Sequence, residues 1–294
     1  MQVVGYDTGV GGDEGSRPAG LLVARHDGTG GEDGGSDEGG GSDEGGGGDE
    51  GGGGDEDEPS PPVERIDLAP GTDLDYSLGE RRCAGTIHDG RHISCSADRA
   101  PRCPSHEDVW VCARCTGTCL KAEMDCHEEH AVYLAAFAPD RFKVGVTRSW
   151  RLATRLEEQG ADRGVRIRTV ENGRIAREIE AELAGEIDGL VDRVRVADKR
   201  AGIAASIDEA AWSDLLERFD PDRRFAFDYG LDLAERPMSE TMASGQVLGT
   251  KGRLLVLERD GSTYAIDLRD LVGHELVAGR STRDIQSSLG AFDT

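Results

Sequence analysis

All seven cysteines of the chain fall between Cys83 and Cys126, and His106 sits among them. Cys112-x-x-Cys115 is a two-thiolate knuckle, and Cys103-x-x-His106 repeats its spacing with an imidazole last. Such spacing lets two ligands from one tight turn share a tetrahedral ion. Cys83, Cys95, Cys103, His106, Cys112, Cys115, Cys119 and Cys126 make eight ligands, enough for two closed four-ligand zinc sites with no thiol left over. The sequential assignment gives Cys83, Cys95, Cys103 and His106 one ion, and Cys112, Cys115, Cys119 and Cys126 the other. A cross-braced arrangement uses the same eight residues. His88, His92, His127 and His130 are spare candidates, better read as surface or supporting histidines. An odd number of cysteines argues against a complete disulfide set. Thr116-Gly117-Thr118 after the knuckle does not suggest the helix that a thioredoxin-like motif needs. With every position closed, such zinc holds a fold and does not activate water.

A second concentration of chemistry follows. From Arg141 to Arg177 there are ten Arg or Lys and four acids, in a chain whose net charge is −24. Clustered arginines such as Arg141, Arg148, Arg151 and Arg155 suit bidentate contacts with phosphate. On a helix, Arg148, Arg151 and Arg155 share one face, and Leu152 and Leu156 another.

The elements that must carry these residues can be read from patterning. Residues 131–137 form a strand by composition, Ala138-Pro139-Asp140 a turn, and residues 141–147 a second strand, which together read as a hairpin. Ser149 is a plausible N-cap for a helix through Gln159, stopped by Gly160. Residues 165–170 are a third strand, and Ile175, Ile179, Leu183 and Ile187 are the buried stripe of a longer helix. Upstream, residues 2–5, 20–25 and 63–68 look like short strands. Downstream, Ser206-x-x-Glu209 resembles a capping box ahead of an amphipathic helix. Residues 220–244 read as irregular linker. Strands at 245–249 and 253–258 follow, and Asp260-Gly261 turns the chain into 263–268. Gly249-Thr250-Lys251-Gly252 reads as a turn. The organisation expected is α+β: residues 1–82, an N-terminal β segment interrupted by an acidic Gly/Asp/Glu insertion at 28–58; 83–127, a zinc segment; 128–200, a compact core; 201–244, a helical extension and linker; 245–294, a C-terminal β segment. Strands of both chain ends are expected to meet in one small β-domain.

The core resembles the GIY-YIG nuclease superfamily, in its branch with Lys in place of the second Tyr. Ala131-Val132-Tyr133 stands where the first motif would be, and Lys143-Val144-Gly145 where the second would be. Thr147…Arg155-Leu156 matches the first helix, and Ile179-Glu180-x-x-Leu183 the later one. The whole chain also looks like a family of uncharacterised prokaryotic proteins in which a multi-cysteine segment precedes this core. The resemblance covers residues 131–190. It implies a three-stranded sheet with helices, and phosphodiester hydrolysis assisted by one divalent ion, Mg²⁺ or Mn²⁺, held by Glu180. Tyr133 would help deprotonate the attacking water, and Arg155 would neutralise charge on the phosphate. The pattern also departs from the family: Ala131 replaces a Gly, Lys143 replaces a Tyr, and Glu157, Glu158 and Gln159 stand where many members have a His or Tyr.

Composition narrows the classes further. The insertion holds twelve Asp and Glu and no base, and the chain has four Lys against thirty Arg. Acid excess with scarce Lys fits a protein working in concentrated salt, where the Debye length at ~1 M is about 3 Å and self-repulsion is screened. No apolar run approaches the ~20 residues that span a bilayer, and the first residues lack a signal-peptide pattern. A membrane role is therefore not expected, and a cytoplasmic location is. Three readings follow: a zinc-binding, nucleic-acid-binding protein with divalent-metal nuclease activity; a non-catalytic nucleic-acid-binding module; and a zinc-stabilised scaffold for a protein partner.

Overall fold

The computed structural model describes residues 1–9, 17–25, 60–107 and 127–280. Four strands open the chain: β1 (Gln2–Asp7), β2 (Gly20–Ala24), β3 (Val63–Asp67) and β4 (Asp73–Arg81). A small hairpin follows, β5 (Thr86–His88) and β6 (Arg91–Ile93). The central part comprises β7 (His130–Phe137), β8 (Arg141–Arg148), a 3-10 turn at Ser149–Arg151, α1 (Leu152–Glu158), β9 (Arg163–Val170), α2 (Gly173–Glu186), β10 (Leu190–Val191), α3 (Val196–Ala201), α4 (Glu209–Leu216) and β11 (Arg223–Ala226). Last come β12 (Met238–Ser239), β13 (Ala243–Lys251), β14 (Leu254–Arg259), β15 (Ser262–Asp267), α5 (Leu268–Leu271) and β16 (His274–Ala278).

The fold is α+β, with two large sheets and short helices. One sheet has the order β12-β15-β14-β13-β4-β16-β1-β2-β3, so strands from both chain ends are interleaved in it. The acidic insertion lies outside the described residues, between β2 and β3, which pair antiparallel. The β14–β15 hairpin turns at Asp260 (φ 52°) and Gly261 (φ 74°), the left-handed pair that a two-residue hairpin needs.

The other sheet has the order β10-β8-β7-β9-β11. Its central strand, β7, is buried along its whole length. Val132, Leu134 and Ala136 pack on one side against Ala176 of α2 and Trp212, Leu215 and Leu216 of α4. Ala131, Tyr133, Ala135 and Phe137 pack on the other side with Leu152 and Leu156 of α1. The period-two alternation of a strand thus divides one apolar run between two helical layers. Full burial of a side chain such as Leu134 or Phe137 contributes about 1.5–3 kcal/mol.

Several sequence expectations are corrected. Ser149 is not a helix N-cap: its hydroxyl makes no hydrogen bond, and Arg148 leads into the 3-10 turn before α1 begins at Leu152. The chain leaves β8 directly into that turn, and the Ser149 amide is already bonded to the Glu129 carbonyl. Gly160 does stop the helix, at φ 70°. The capping box at Ser206 does not form, because Asp208 caps α4 by accepting from the Ala211 amide at 3.0 Å. The supposed linker at 220–244 contains β11 and β12, added to sheet edges by backbone pairing. Gly249, Thr250 and Lys251 continue β13, so the turn begins only at Gly252.

Candidate metal centre and candidate phosphodiester cleft

Cys83 follows β4, Cys95 follows the β5–β6 hairpin, and Cys103 and His106 share the next turn. In that turn the amides of His106 and Glu107 both donate to the Cys103 carbonyl, at 2.9 and 2.8 Å. The four ligand atoms lie within 4.8 Å of one another. Cys95 Sγ is 3.9 Å from Cys103 Sγ, and His106 Nδ1 is 3.3 Å from Cys103 Sγ and 3.5 Å from Cys83 Sγ. A tetrahedral zinc site with bonds of ~2.3 Å to sulfur has edges of about 3.5–3.8 Å, so this Cys3His group fits an ion such as zinc. The sulfurs are too far apart for a disulfide. Burial raises the Cys103 thiol, but hydrogen bonds from Cys83, His106 and the Ser105 amide outweigh it and bring it to about 6. This favours the thiolate that a metal needs. The Cys103 amide also donates to Cys83 Sγ at 3.2 Å.

The surrounding loop is tied to the large sheet. Buried Gln2 donates to the carbonyls of Gly273 and Cys83, at 3.0 and 3.4 Å. Arg102 donates to the Val4 carbonyl at 3.2 Å and to the Gly85 carbonyl. Among the spare histidines, His92 is buried with Nε2 3.0 Å from the Ala84 carbonyl, and His130 Nδ1 is 2.6 Å from the Glu128 carbonyl. His88 is exposed beside Asp89. Cys112, Cys115, Cys119 and Cys126, assigned from sequence to a second zinc, lie outside the described residues.

The second constellation assembles on the Tyr133 side of β7. Tyr133 faces Gly145 across the β7–β8 ladder, and Lys143 faces Ala135 two residues along. A Cβ at position 145 would stand 2.5 Å from the Tyr133 ring and hydroxyl, so glycine is required for the phenol to lie there. Lys143 Nζ is 5.9 Å from the centre of the Tyr133 ring and donates to the carbonyls of Asp192 and Val144, at 2.7 and 3.1 Å. Arg155 and Glu180 are close enough for their charges to act on both Tyr133 and Lys143. Glu180 is buried, with Arg177 at 2.5 Å. Tyr133 and Lys143 are thus neighbours across the β7–β8 ladder, and the charges of Arg155 from α1 and Glu180 from α2 reach both.

Gln159, which stands at one of the departures from the motif pattern, adds a further contact. Its Nε2 is 2.7 Å from the Tyr133 hydroxyl and 3.0 Å from the Arg155 carbonyl. A carbonyl only accepts, so the amide nitrogen faces it and the phenol oxygen is the other acceptor. The phenol's own proton is left to donate elsewhere. Burial raises the Tyr133 pKa, against the pull of Gln159 and Arg155, and keeps the phenol protonated. Burial lowers Lys143 to about 8, despite the carboxylate of Glu180.

The arginines assigned to phosphate are each paired with an acid. Arg141 lies 3.7 Å from Asp140, Arg148 3.3 Å from Glu128, and Arg151 and Arg155 2.8 and 3.2 Å from Glu158. The net positive count along the sequence therefore overstates the uncompensated charge. Partly exposed pairs of this kind contribute about 0–1 kcal/mol and can be exchanged for phosphate. Gln159 was noted only as a departure from the motif pattern, and Arg177 and Lys199 were not singled out, because nothing in their spacing marks them.

Among the described residues, no helix is long and apolar enough to cross a membrane. No curated protein and no solved structure matches the chain. One family match spans the end of β4, the metal centre, the core and most of the C-terminal strands. It covers residues 79–276, about two thirds of the sequence, and the chain therefore belongs to the family described as protein of unknown function (DUF2797).

Proposed function

We propose that this is a zinc-binding protein whose GIY-YIG-like core binds nucleic acid and hydrolyses phosphodiesters with the help of a divalent ion. The observation that supports this reading is the placing of Lys143 beside Tyr133 within reach of the charges of Arg155 and Glu180, from two strands and two helices. In this reading Cys83, Cys95, Cys103 and His106 hold a structural zinc. Glu180 would hold Mg²⁺ or Mn²⁺, which when bound supplies positive charge at the leaving oxygen. Arg155 exchanges Glu158 for the phosphate and offsets the charge that builds there. Tyr133, protonated and held by Gln159, orients the phosphate or water by donation. Lys143, brought down only to about 8, is still mostly an ammonium at neutral pH and contacts phosphate as a point charge.

A second reading, a non-catalytic nucleic-acid-binding module, is favoured by the Arg177 contact on Glu180, which competes with a divalent ion. One experiment separates them. DNA and RNA, single- and double-stranded, are incubated with Mg²⁺ or Mn²⁺ and wild-type protein, Glu180→Ala, or Arg151→Ala with Arg155→Ala. The nuclease reading expects cleavage to fall about a hundredfold or more in Glu180→Ala with affinity kept. The arginine pair should weaken binding. If wild type leaves every substrate intact yet binds, the module reading takes over; if it binds none, both fall.

A further inference from the structure

One feature of the cleft lies outside the motif residues. Lys199, on α3, reaches back over β7. Its Nζ is 4.3 Å from the centre of the Phe137 ring and 2.7 Å from the Gln159 carbonyl. Gln159 is the same residue whose side chain donates to the Tyr133 hydroxyl. Tyr133, Ala135 and Phe137 share one face of β7, and Lys143 stands opposite Ala135. The two amines thus lie either side of the smallest side chain on that face, one over Tyr133 and the other over Phe137.

Among the described residues, neither amine has a carboxylate within ion-pair distance; Lys143 and Lys199 bond only to carbonyls. An ammonium has three donors. Lys143 spends two on Val144 and Asp192, and Lys199 one on Gln159. Three N–H groups, in a site also exposed to the charge of Arg155, are left without a protein acceptor. Burial and mutual repulsion push Lys199 down to about 7 and burial pushes Lys143 down to about 8. Neighbouring Lys251 and Arg253 each have their own carboxylate, Asp162 and Asp267, both at 2.6 Å. Two partly buried amines without a bonded carboxylate destabilise a fold, even with the more distant charges of Glu180 and Asp192 acting on Lys143, and such an arrangement is relieved by a bound anion.

We infer that Lys199 and Lys143 form a phosphate-binding subsite beside Tyr133, which takes a phosphate of the substrate other than the one at Arg155. This rests on the phosphodiester reading for its substrate. The phosphate is either a terminal monoester or the next diester of the strand. Both offer several oxygens to the three unused donors, and a dianionic monoester matches the two amines in charge.

The test uses the full chain with zinc. Affinity is measured for inorganic phosphate and for three short oligonucleotides: 5′-phosphorylated, 3′-phosphorylated and unphosphorylated. Wild type is compared with Lys199→Gln, which keeps a donor for the Gln159 carbonyl but has no charge, and with Lys199→Arg. The inference expects Lys199→Gln to bind at least one phosphate-bearing probe about tenfold or more weakly. Lys199→Arg should retain part of that affinity, and Lys199→Gln should melt at the same or a higher temperature. A preference for one phosphorylated end identifies a terminal monoester; equal losses on all oligonucleotides identify an internal diester. Unchanged affinities for every probe with a lower melting temperature would make Lys199 a structural strut and overturn the inference. Lys199-dependent phosphate binding without any cleavage would sink the nuclease reading alone. Should Lys199→Gln not fold, Lys143→Met carries the same comparison.

Discussion

At the scale of the residue, the cleft is governed by burial acting on amines. Lys143 and Lys199 are held well below the ordinary lysine value of 10.5, so folding disfavours their charged forms. Between their folded values and the unfolded value the unfolded chain binds more protons. Stability must therefore rise with pH over that window, starting near pH 7 for Lys199 and near pH 8 for Lys143. Buried Tyr133, whose pKa is raised, acts in the opposite direction above about pH 10. Thermal melting at fixed salt and zinc should show a rising midpoint from pH 7 to about pH 9.5. Lys199→Gln should flatten the first part of that rise. A flat profile in wild type would mean that the two amines titrate as in water.

At the scale of the element, the segment from Cys83 to His106 has little of its own to hold it. It contains only the short β5–β6 hairpin, and a two-stranded hairpin is marginal by itself. Its hydrogen bonds to the main sheet go through Gln2, Arg102 and backbone carbonyls. With an ion bound at the Cys3His group, its loss would leave buried Cys83 and Cys103 without their common partner. Chelation with EDTA or a tighter zinc ligand should lower the melting temperature and expose residues 83–107 to protease first. Cys103→Ser should remove one zinc per chain, as measured by atomic absorption. A metal content unchanged by Cys103→Ser would contradict the four-ligand assignment. The helices are better anchored. Asn172 caps α2 by accepting from the Ile175 amide at 3.0 Å, and α2 then carries Ile179 and Leu183 into the core, with Ile187 just past its end, while Glu180 lies on the next position round the helix from Ile179.

At the scale of the whole molecule, the two sheets meet where the turn after α1 touches the turn after β13. Lys251 of β13 is 2.6 Å from Asp162, and the other oxygen of Asp162 accepts from the Ala138 amide at 3.0 Å. Gly160 and Gly252 face each other so closely that a Cβ on either would fall within 3.0 Å of the opposing backbone. Tyr229 closes the same junction by donating to the Ala161 carbonyl at 2.8 Å. Lys251 and Asp162 are both largely buried, so removing one leaves the other uncompensated, at a cost of about 3–5 kcal/mol. Lys251→Met should therefore lower stability by that order in a denaturant titration. Lys251→Met combined with Asp162→Asn should recover much of the loss. If the single change costs no more than a surface pair, the junction does not hold the sheets together.

What the amino-acid order determined was local. The strands at β7, β8 and β9, the Asp260-Gly261 hairpin and the stop at Gly160 follow from alternation and from backbone demands that few residues satisfy. Cys83, Cys95, Cys103 and His106 were legible as candidate ligands from residue type and spacing, because only a few side chains bind a soft ion, but the sequence left sequential and cross-braced groupings open and the tertiary structure brought these four together. Tyr133, Lys143, Arg155 and Glu180 were singled out only by the resemblance of their motifs to a known superfamily. Packing alone decided what surrounds them. The edge strands β11 and β12 have no pattern of their own and exist because an open sheet edge offered backbone partners. Lys199 reaches the cleft through a chain crossing that no local spacing encodes, and the acids beside each arginine come from turns as well as helices. Electrostatics depends on distance through space, so the charge balance of the cleft could be known only once the two sheets were in place.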